Sequence, residues 1–521
     1  MITPKLPDNL DDKAQVQEFH RGILQCLDEL GNKTTESVAG TNNINGQIEA
    51  ITHPSITYLS KSAHNSMAIV YNGKLYTTSG VDGAYWVLTT GRHYRAPTHY
   101  GVDNFKVVPI PTDSTIKKVG GFTSKYAFAL LEDGRLYTWG YNDHGQCGLG
   151  HTNVVATPTL AATDVLDVYT HPSQGEYAVE NRLFILKSDG LYAAGYNGYG
   201  QCGVGDTANK TTFTKCTVFT SSSQIKKVYP IGCAYGYTFV LTTDGKIYFT
   251  GRNNTGVAGN GTTTDKSTFT DVTNAWAGVT SGVQDIKVVG GSRYYITADD
   301  GSKPWAVMLI TLSDGSKKLR ACGCNQWGQL GDGTTTTRTS PVQPLNVPQA
   351  NIIDIAGFGG SPGTLNALCS NGDLWAWGYN DEGQVGDGTT TNRTTPYKIQ
   401  TGVLQLFSDG MTSYINGYYT QSFIRKSDGL YACGWNDAGY CGNGNTTSPI
   451  TTHTRVLLEL DSDEYVDDIG HYTTRTAGRI LVAKTTKGNL FAWGYNGDYG
   501  VSGDTTNNVI VPLQFRIQEI V

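Results

Sequence analysis

Charged residues are scarce in this chain. Asp, Glu, Lys and Arg make up 16% of its 521 residues, against roughly 25% in an ordinary globular protein. The 39 basic and 45 acidic residues leave a formal net charge of -6. No basic stripe therefore offers itself to a phosphate backbone, and nucleic acid is not an expected partner. No apolar run reaches the ~18 residues that a membrane-spanning helix needs, so membrane insertion is not expected either. The N-terminal stretch, Met1-Ile-Thr-Pro-Lys-Leu-Pro-Asp-Asn-Leu-Asp-Asp12, lacks the charged-then-apolar pattern of a secretory signal, which argues against export.

What the chain has in quantity is glycine (64) and tyrosine (31), and both are concentrated in a repeat. Residues 137–150 read Tyr-Thr-Trp-Gly-Tyr-Asn-Asp-His-Gly-Gln-Cys-Gly-Leu-Gly, and close copies return at 192–205 and 375–388. Weaker copies occupy 248–261, 320–333 and 431–444, and a last one, 491–504, has one extra residue in its loop. The anchor glycines are Gly140, Gly195, Gly251, Gly323, Gly378, Gly434 and Gly494, spaced 55 to 60 residues apart except for 72 between Gly251 and Gly323. There Asp300–Leu312 is expected to insert as a longer hairpin. A degenerate earlier unit fits around Lys74–Gly80.

Ahead of each copy stands a short turn: Asn72-Gly73, Asp133-Gly134, Asp189-Gly190, Asp244-Gly245, Asp314-Gly315, Asn371-Gly372, Asp428-Gly429 and Lys487-Gly488. Asp-Gly and Asn-Gly are preferred in two-residue type I′ hairpins. With an apolar-x-x-apolar strand before the hairpin and a further strand after the loop, each unit has four short strands. Seven or eight such units predict an all-β chain: a seven- or eight-bladed β-propeller of four-stranded blades over residues 51–521. Ile517–Ile520 looks like the first strand of one more unit, placed to zip the last blade to the first.

Residues 1–50 stand outside the array. Asp11 or Asp12 can cap a helix, and Val16, Phe19, Ile23, Cys26 and Leu30 recur at intervals of 3, 4, 3 and 4, an a/d seam of two heptads. Two heptads are marginal alone, so this short helical segment either packs on the propeller, self-associates into a homo-oligomer or attaches the chain to a larger assembly. A polar linker follows it.

The loop residues divide into two sets. Gly140, Asn142, Gly195, Asn197, Gly378, Asn380, Gly494 and Asn496 read as structural: the glycines allow a tight loop and the asparagines can bond their own backbone as Asx-turns. Gln146, Gln201, Gln329 and Gln384 are expected to tie neighbouring blades together. The second set follows the anchor glycine and would line one rim of a ring. Tyr141, Tyr196, Tyr379, Trp435 and Tyr495, with Tyr199, Trp327 and Tyr499 three residues further on, are candidate ligand contacts, since aromatic side chains with polar tips suit interfaces.

No catalytic constellation emerges, and neither a metal nor a cofactor is expected. The ten histidines are scattered, and no Gly-Lys-Ser/Thr follows any loop. Cys147, Cys202 and Cys441 share one repeat position and Cys322 and Cys433 another. Equivalent positions lie a repeat apart, so they read as small buried hydrophobes of a reducing compartment rather than disulfide partners. Cys322-Gly-Cys324 has no second pair at zinc spacing. The acidic run Asp461, Asp463, Glu464, Asp467 and Asp468 reads as a solvated loop.

The signature aromatic-x-Trp/Ala/Cys-Gly-x-Asn-x-x-Gly-Gln-x-Gly-x-Gly resembles that of the regulator-of-chromosome-condensation repeat family over about 450 residues. That resemblance implies a propeller, typically of seven blades, and leaves function open because function lives in sites grafted on folds. A non-enzymatic binding or structural protein is expected. Low charge, Gly/Asn/Thr/Tyr-rich loops and an N-terminal helix suited to docking favour a virion component, such as a phage tail fibre. It would attach to other virion proteins through residues 1–50 and meet a host surface receptor or glycan. The alternatives are a cytoplasmic protein-binding propeller, such as a guanine-nucleotide exchange regulator of a small GTPase, and a carbohydrate-binding or inhibitor propeller.

Overall fold

The computed structural model describes residues 56–59, 62–64, 68–71, 74–78, 105–111, 113–121, 126–170, 182–232, 236–291, 303–358, 363–407, 420–473, 479–495 and 508–515. The expected N-terminal helix, with Val16, Phe19, Ile23, Cys26 and Leu30, lies outside them, as do Asn496, Tyr499 and Ile517–Ile520. Contacts divide the chain into Met1–Pro54 and Ser55–Val521.

The described strands form eight sheets, seven of four strands and one of five. Apart from the strand Ser62–His64, each is an antiparallel meander of strands in chain order, which we number as blades 1 (56–107), 2 (116–162), 3 (167–215), 4 (225–271), 5 (283–342), 6 (352–400), 7 (403–455) and 8 (466–515). The degenerate unit foreseen around Lys74 is blade 1, with Lys74–Thr78 as its third strand.

Second and third strands are buried on both faces, as in Tyr126–Leu131 and Leu136–Gly140. They therefore read as continuous apolar runs rather than as an alternation. Consecutive blades share an apolar cluster. Phe239 and Phe249 of blade 4 pack with Met308 and Ile310 of blade 5, and Phe423 of blade 7 packs with Leu481 and Trp493 of blade 8. Fourth strands are the outer edges, and Pro158, Pro341, Pro396 and Pro512 interrupt four of them, which blunts edge-to-edge pairing.

The ring closes from its N-terminal side. Ser62–His64 pairs in parallel with the first strand of blade 8, Ser62 opposite His471 and His64 opposite Thr473. This is the fifth strand of that sheet.

Blade-to-blade ion pairs recur along the first strands: Lys118 to Asp167 at 2.8 Å, Lys227 to Asp285 at 2.6 Å, and Lys287 to Asp354. Their side chains are about a third to a half exposed, so each contributes at most about 1 kcal/mol. Their effect is to fix the register of one blade against the next.

Two expectations about turns are corrected. In blades 2, 4, 5, 6 and 8 the hairpin has three loop residues, closed by bonds such as Leu131 N–H to Arg135 O and Gly134 N–H to Leu131 O. Blades 3 and 7 have two-residue loops, Ser188-Asp189 and Ser427-Asp428. Among the described residues only Asp164 and Asn346 have positive φ outside glycine, so none of these turns is type I′. In blades 2, 5 and 6 the Asp or Asn side chain instead accepts the N–H two residues on: Asp133 from Arg135 at 3.1 Å, Asp314 from Ser316 at 2.9 Å and Asn371 from Asp373 at 3.1 Å. That bond holds the residue right-handed and leaves the left-handed position to glycine.

The extra residues of the 72-residue spacing lie mainly between Val283–Gly291 and Trp305–Leu312, the first and second strands of blade 5, which pair along their full length. The linker from blade 4 to blade 5 carries a short helix, Thr273–Ala277, whose Trp276 is fully buried. In blades 6 and 8 the third-strand Trp377 and Trp493 donate their indole N–H to Gln329 O and Tyr440 O in the preceding blade's loop. Blade 5 has the shorter Cys322 at that position, and Trp276 supplies the indole instead, bonding Ala258 O at 2.9 Å.

Candidate binding rim

In blades 2 to 8 the third strand ends on its anchor glycine, and the next residue is pinned by its backbone. Arg252, Cys324, Tyr379 and Trp435 donate their N–H to the carbonyl just before the second strand: Gly236, Pro304, Gly363 and Thr420. The following asparagine then clamps the loop. Asn380 Oδ1 accepts from Val385 N–H at 2.8 Å, and its Nδ2 donates to Thr389 O and Thr391 O at 3.0 and 3.1 Å. The same pattern holds for Asn142 with Cys147, His151 and Asn153, and for Asn197, Asn253 and Asn436. All of these asparagines are fully buried. The partner is five residues on, so this is a loop clamp rather than the Asx-turn expected.

The glutamine also works within its own loop. Gln201 Oε1 accepts Tyr199 N–H at 2.8 Å and Gln384 Oε1 accepts Glu382 N–H at 2.9 Å. The tie to the neighbouring blade runs through the backbone carbonyl at this position, which takes Trp377 Nε1 at Gln329 and Thr238 Oγ1 at Gln201. Blades 5 and 6 add a buried anchor: Asp387 accepts from Asn380, Thr389 and Arg393, and Asp332 from Asn325, Thr334 and Arg338. Desolvation alone would raise the pKa of Asp387, but hydrogen bonds from Thr389 and Arg393 outweigh it and hold the carboxyl below its usual range.

These loops set out a row of side chains that crosses blade boundaries. His144 of blade 2 meets Tyr196 of blade 3 edge-on with centroids 5.1 Å apart. Tyr196 lies 6.5 Å from Tyr199, and the Arg252 guanidinium of blade 4 sits 4.2 Å over the Tyr199 ring. A second arc joins Trp327 of blade 5 to Tyr379 of blade 6 at 5.2 Å. All these residues except Tyr379 are partly exposed. Asp381, Glu382 and Asp437 crowd blades 6 and 7, where burial, then Asp381 and Asp437, raise the pKa of Glu382.

The expected rim set thus divides. Tyr141, with its hydroxyl on Asp143, Tyr196, Tyr199 and Trp327 are at the surface. Tyr379 is 4% exposed and belongs to the interior. Trp435 stacks near Tyr440 at 5.0 Å, and both Trp435 and Tyr495 pack on the core between blades 7 and 8. His144 and Arg252 join the row, although neither was a candidate. The signal was positional: His144 holds the place of Tyr199 and Trp327, and Arg252 that of Tyr196.

Catalytic residue types do gather at one point, away from this row. Between blades 6 and 7, Ser422 Oγ accepts from Asn366 Nδ2 at 2.8 Å and lies 3.3 Å from His453 Nε2, which is 3.5 Å from Cys433 Sγ. Asn366, Ser422 and Cys433 are fully buried, and burial pushes the Cys433 thiol well up. The eight described cysteines are all buried and unpaired in disulfides. This is an interior packing cluster with a pH signature. His453 keeps some exposure, yet its ring nitrogens face inward, and that burial, with Lys426 nearby, pushes its pKa from 6.5 down to about 3. In that window the unfolded chain binds a proton that the native chain refuses, so stability falls as the pH drops, by up to about 1.4 kcal/mol per unit. His453→Gln is expected to flatten this slope in urea unfolding between about pH 5.5 and 6.5, a range above that in which carboxylates of ordinary pKa titrate. An unchanged slope would remove His453 from the account.

Three comparisons bear on the chain. The family model described as "Regulator of chromosome condensation (RCC1) repeat" matches residues 133–168, 319–358 and 371–405. The Ultraviolet-B receptor UVR8 of Arabidopsis thaliana is 25% identical over 389 residues, covering 74% of this chain and 79% of the relative. An X-linked retinitis pigmentosa GTPase regulator homolog of Caenorhabditis elegans is 24% identical over 367 residues, 62% of this chain but 24% of the relative. Among solved structures, Prp20p from Saccharomyces cerevisiae aligns with a TM-score of 0.48 and 18% identity over 75% of this chain and 88% of its own.

Proposed function

We propose that this chain, three segments of which match the regulator-of-chromosome-condensation repeat, is a protein-binding propeller whose signature-loop rim contacts a protein partner. The observation that carries this reading is the row His144, Tyr196, Tyr199 and Arg252. Partly exposed aromatic and guanidinium groups are lined up across three blades on loops clamped by buried asparagines. Rigid aromatic and arginine side chains are the groups that dominate protein interfaces. Among the described rim residues no nucleophile sits beside a base.

The relatives point the same way: one is named a receptor and another a GTPase regulator homolog. Neither name suggests a virion, so the fibre role and its host receptor or glycan give way to the alternative, an intracellular regulator that binds a small GTPase. The test is the affinity of the full chain for a panel of small GTPases, each nucleotide-free and bound to GDP or GTP. At least one is expected to bind, and Tyr196→Ala with Tyr199→Ala to weaken it about tenfold or more. A panel without a binder removes the GTPase reading. A binder indifferent to these substitutions removes the rim.

A further inference from the structure

The opposite end of the ring carries a second set of exposed side chains. Seven of the first strands shift register near their start; in the six whose skipped side chain is described, the shift lies between Ile116 and Lys118, Ile225 and Lys227, Val283 and Asp285, Ile352 and Asp354, Val403 and Gln405, and Val466 and Asp468. The residue skipped is bulged outward at the end of the blade that bears the hairpin turns, away from the signature loops. These residues are Lys117, Lys226, Gln284, Ile353, Leu404 and Asp467, and all are exposed. A polar residue at this place needs no explanation. Ile353 and Leu404 do, at 50% and 52% exposed in adjacent blades whose first strands touch. Tyr465, 46% exposed, continues the surface into blade 8. Arg425 of blade 7 lies 4.3 Å over its ring and donates to Gln405, which in turn donates to Asp467 O. Three large apolar groups thus adjoin across three blades.

The edge of this patch is acidic outward. Asp461 and Asp463 both pair with Lys487, and Asp467 with Lys484. In each pair the carboxylate faces water and the lysine lies beneath it: 71% and 73% against 27%, and 48% against 15%. Arg425 is occupied by Tyr465 and Gln405, Lys317 by Ile352 O, and Lys426, opposite Val403, by the Tyr431 ring. An approaching group meets apolar surface bordered by carboxylates.

We propose that Ile353, Leu404 and Tyr465 form a second docking surface, for a protein segment with large apolar side chains next to lysine or arginine. Exposed apolar patches bordered by polar residues mark interaction sites, and the carboxylate border selects the sign of the partner's charge. This surface is independent of the signature-loop rim and does not rest on the GTPase reading.

The probe is a fluorescent twelve-residue peptide alternating leucine and lysine, titrated against the full chain, with a leucine/glutamate peptide as the control. Binding is expected for the first alone, weakened at least tenfold by Ile353→Ser with Leu404→Ser and weakened by added salt. Tyr196→Ala with Tyr199→Ala should leave it unchanged. Because the substituted side chains are exposed, the variants should melt with the wild type, which is checked first. Leu404→Ser alone serves if the double variant does not fold. Equal binding of both peptides, or binding indifferent to the serine substitutions, overturns the proposal. So does a native mass showing a dimer that these substitutions split, because the patch would then be a contact between copies of this chain.

Discussion

Replacing Arg182 with alanine is expected to destabilise the protein by about 3–5 kcal/mol, because it strips the donor from several buried carbonyls at about 1–3 kcal/mol for each left unsatisfied. Arg182 opens the second strand of blade 3 and is 2% exposed. Its guanidinium crosses into blade 4, donating to Gly232 O at 2.9 Å, Ile231 O at 3.1 Å, Tyr237 O at 2.6 Å and Thr238 Oγ1 at 3.3 Å. Alanine would leave these carbonyls buried without their donors and open a hole where the side chain was. The same strand position bridges blades elsewhere, since the Tyr126 hydroxyl meets Thr170 at 2.6 Å and that of Tyr237 bonds Trp305 O. Arg182→Lys should recover only part of the loss, because one ammonium cannot span carbonyls that a planar fork reaches together. Denaturant midpoints of the three proteins measure this, and a loss under about 1 kcal/mol for the alanine variant would show that blade 4 closes without the arginine.

Gly145→Ala should cost a similar amount by a different route. Gly145 has φ +78°, and a Cβ there would lie 2.8 Å from Lys210 O and closer still to Thr211 Cα, both backbone of blade 3's outer strand. Two penalties add: about 1–2 kcal/mol for an L-residue in the left-handed region, and about 1–3 kcal/mol for overpacking against atoms that cannot swing aside. Gly315 separates them. It has φ +81° with nothing within 4 Å of the added carbon, so Gly315→Ala should cost only the first penalty. If the two variants melt alike, the close approach of blade 2's loop to blade 3 carries no weight in stability.

Much of the fold was legible because the repeat carries it. The eight turn pairs and seven anchor glycines placed the hairpins and the signature loops, and even the degenerate blade around Lys74 kept its third strand. What was hidden depends on partners distant in sequence. Asp-Gly suggested a type I′ turn, but the Asp133 side chain bonds Arg135 N–H and selects another geometry. The ring closes through Ser62–His64, a three-residue strand with no repeat signature. Trp276 does the work of a missing third-strand tryptophan from a helix outside the repeat, so no alignment of the copies could place it. The rim positions were legible as positions. Whether an aromatic at one of them is partly exposed, like Tyr196, or buried, like Tyr379, is decided by the neighbouring blade, as is the seat of Arg252 over Tyr199.

The most direct test of a protein-binding rim is hydrogen exchange on the full chain with and without a GTPase that binds it. Slowed exchange should map to residues 141–150, 196–205 and 252–261, the signature loops of blades 2 to 4, with the hairpin turns at Asp133, Asp189 and Asp244 unchanged. Protection confined to those turns, or absent from all three loops, would contradict the rim as the binding surface.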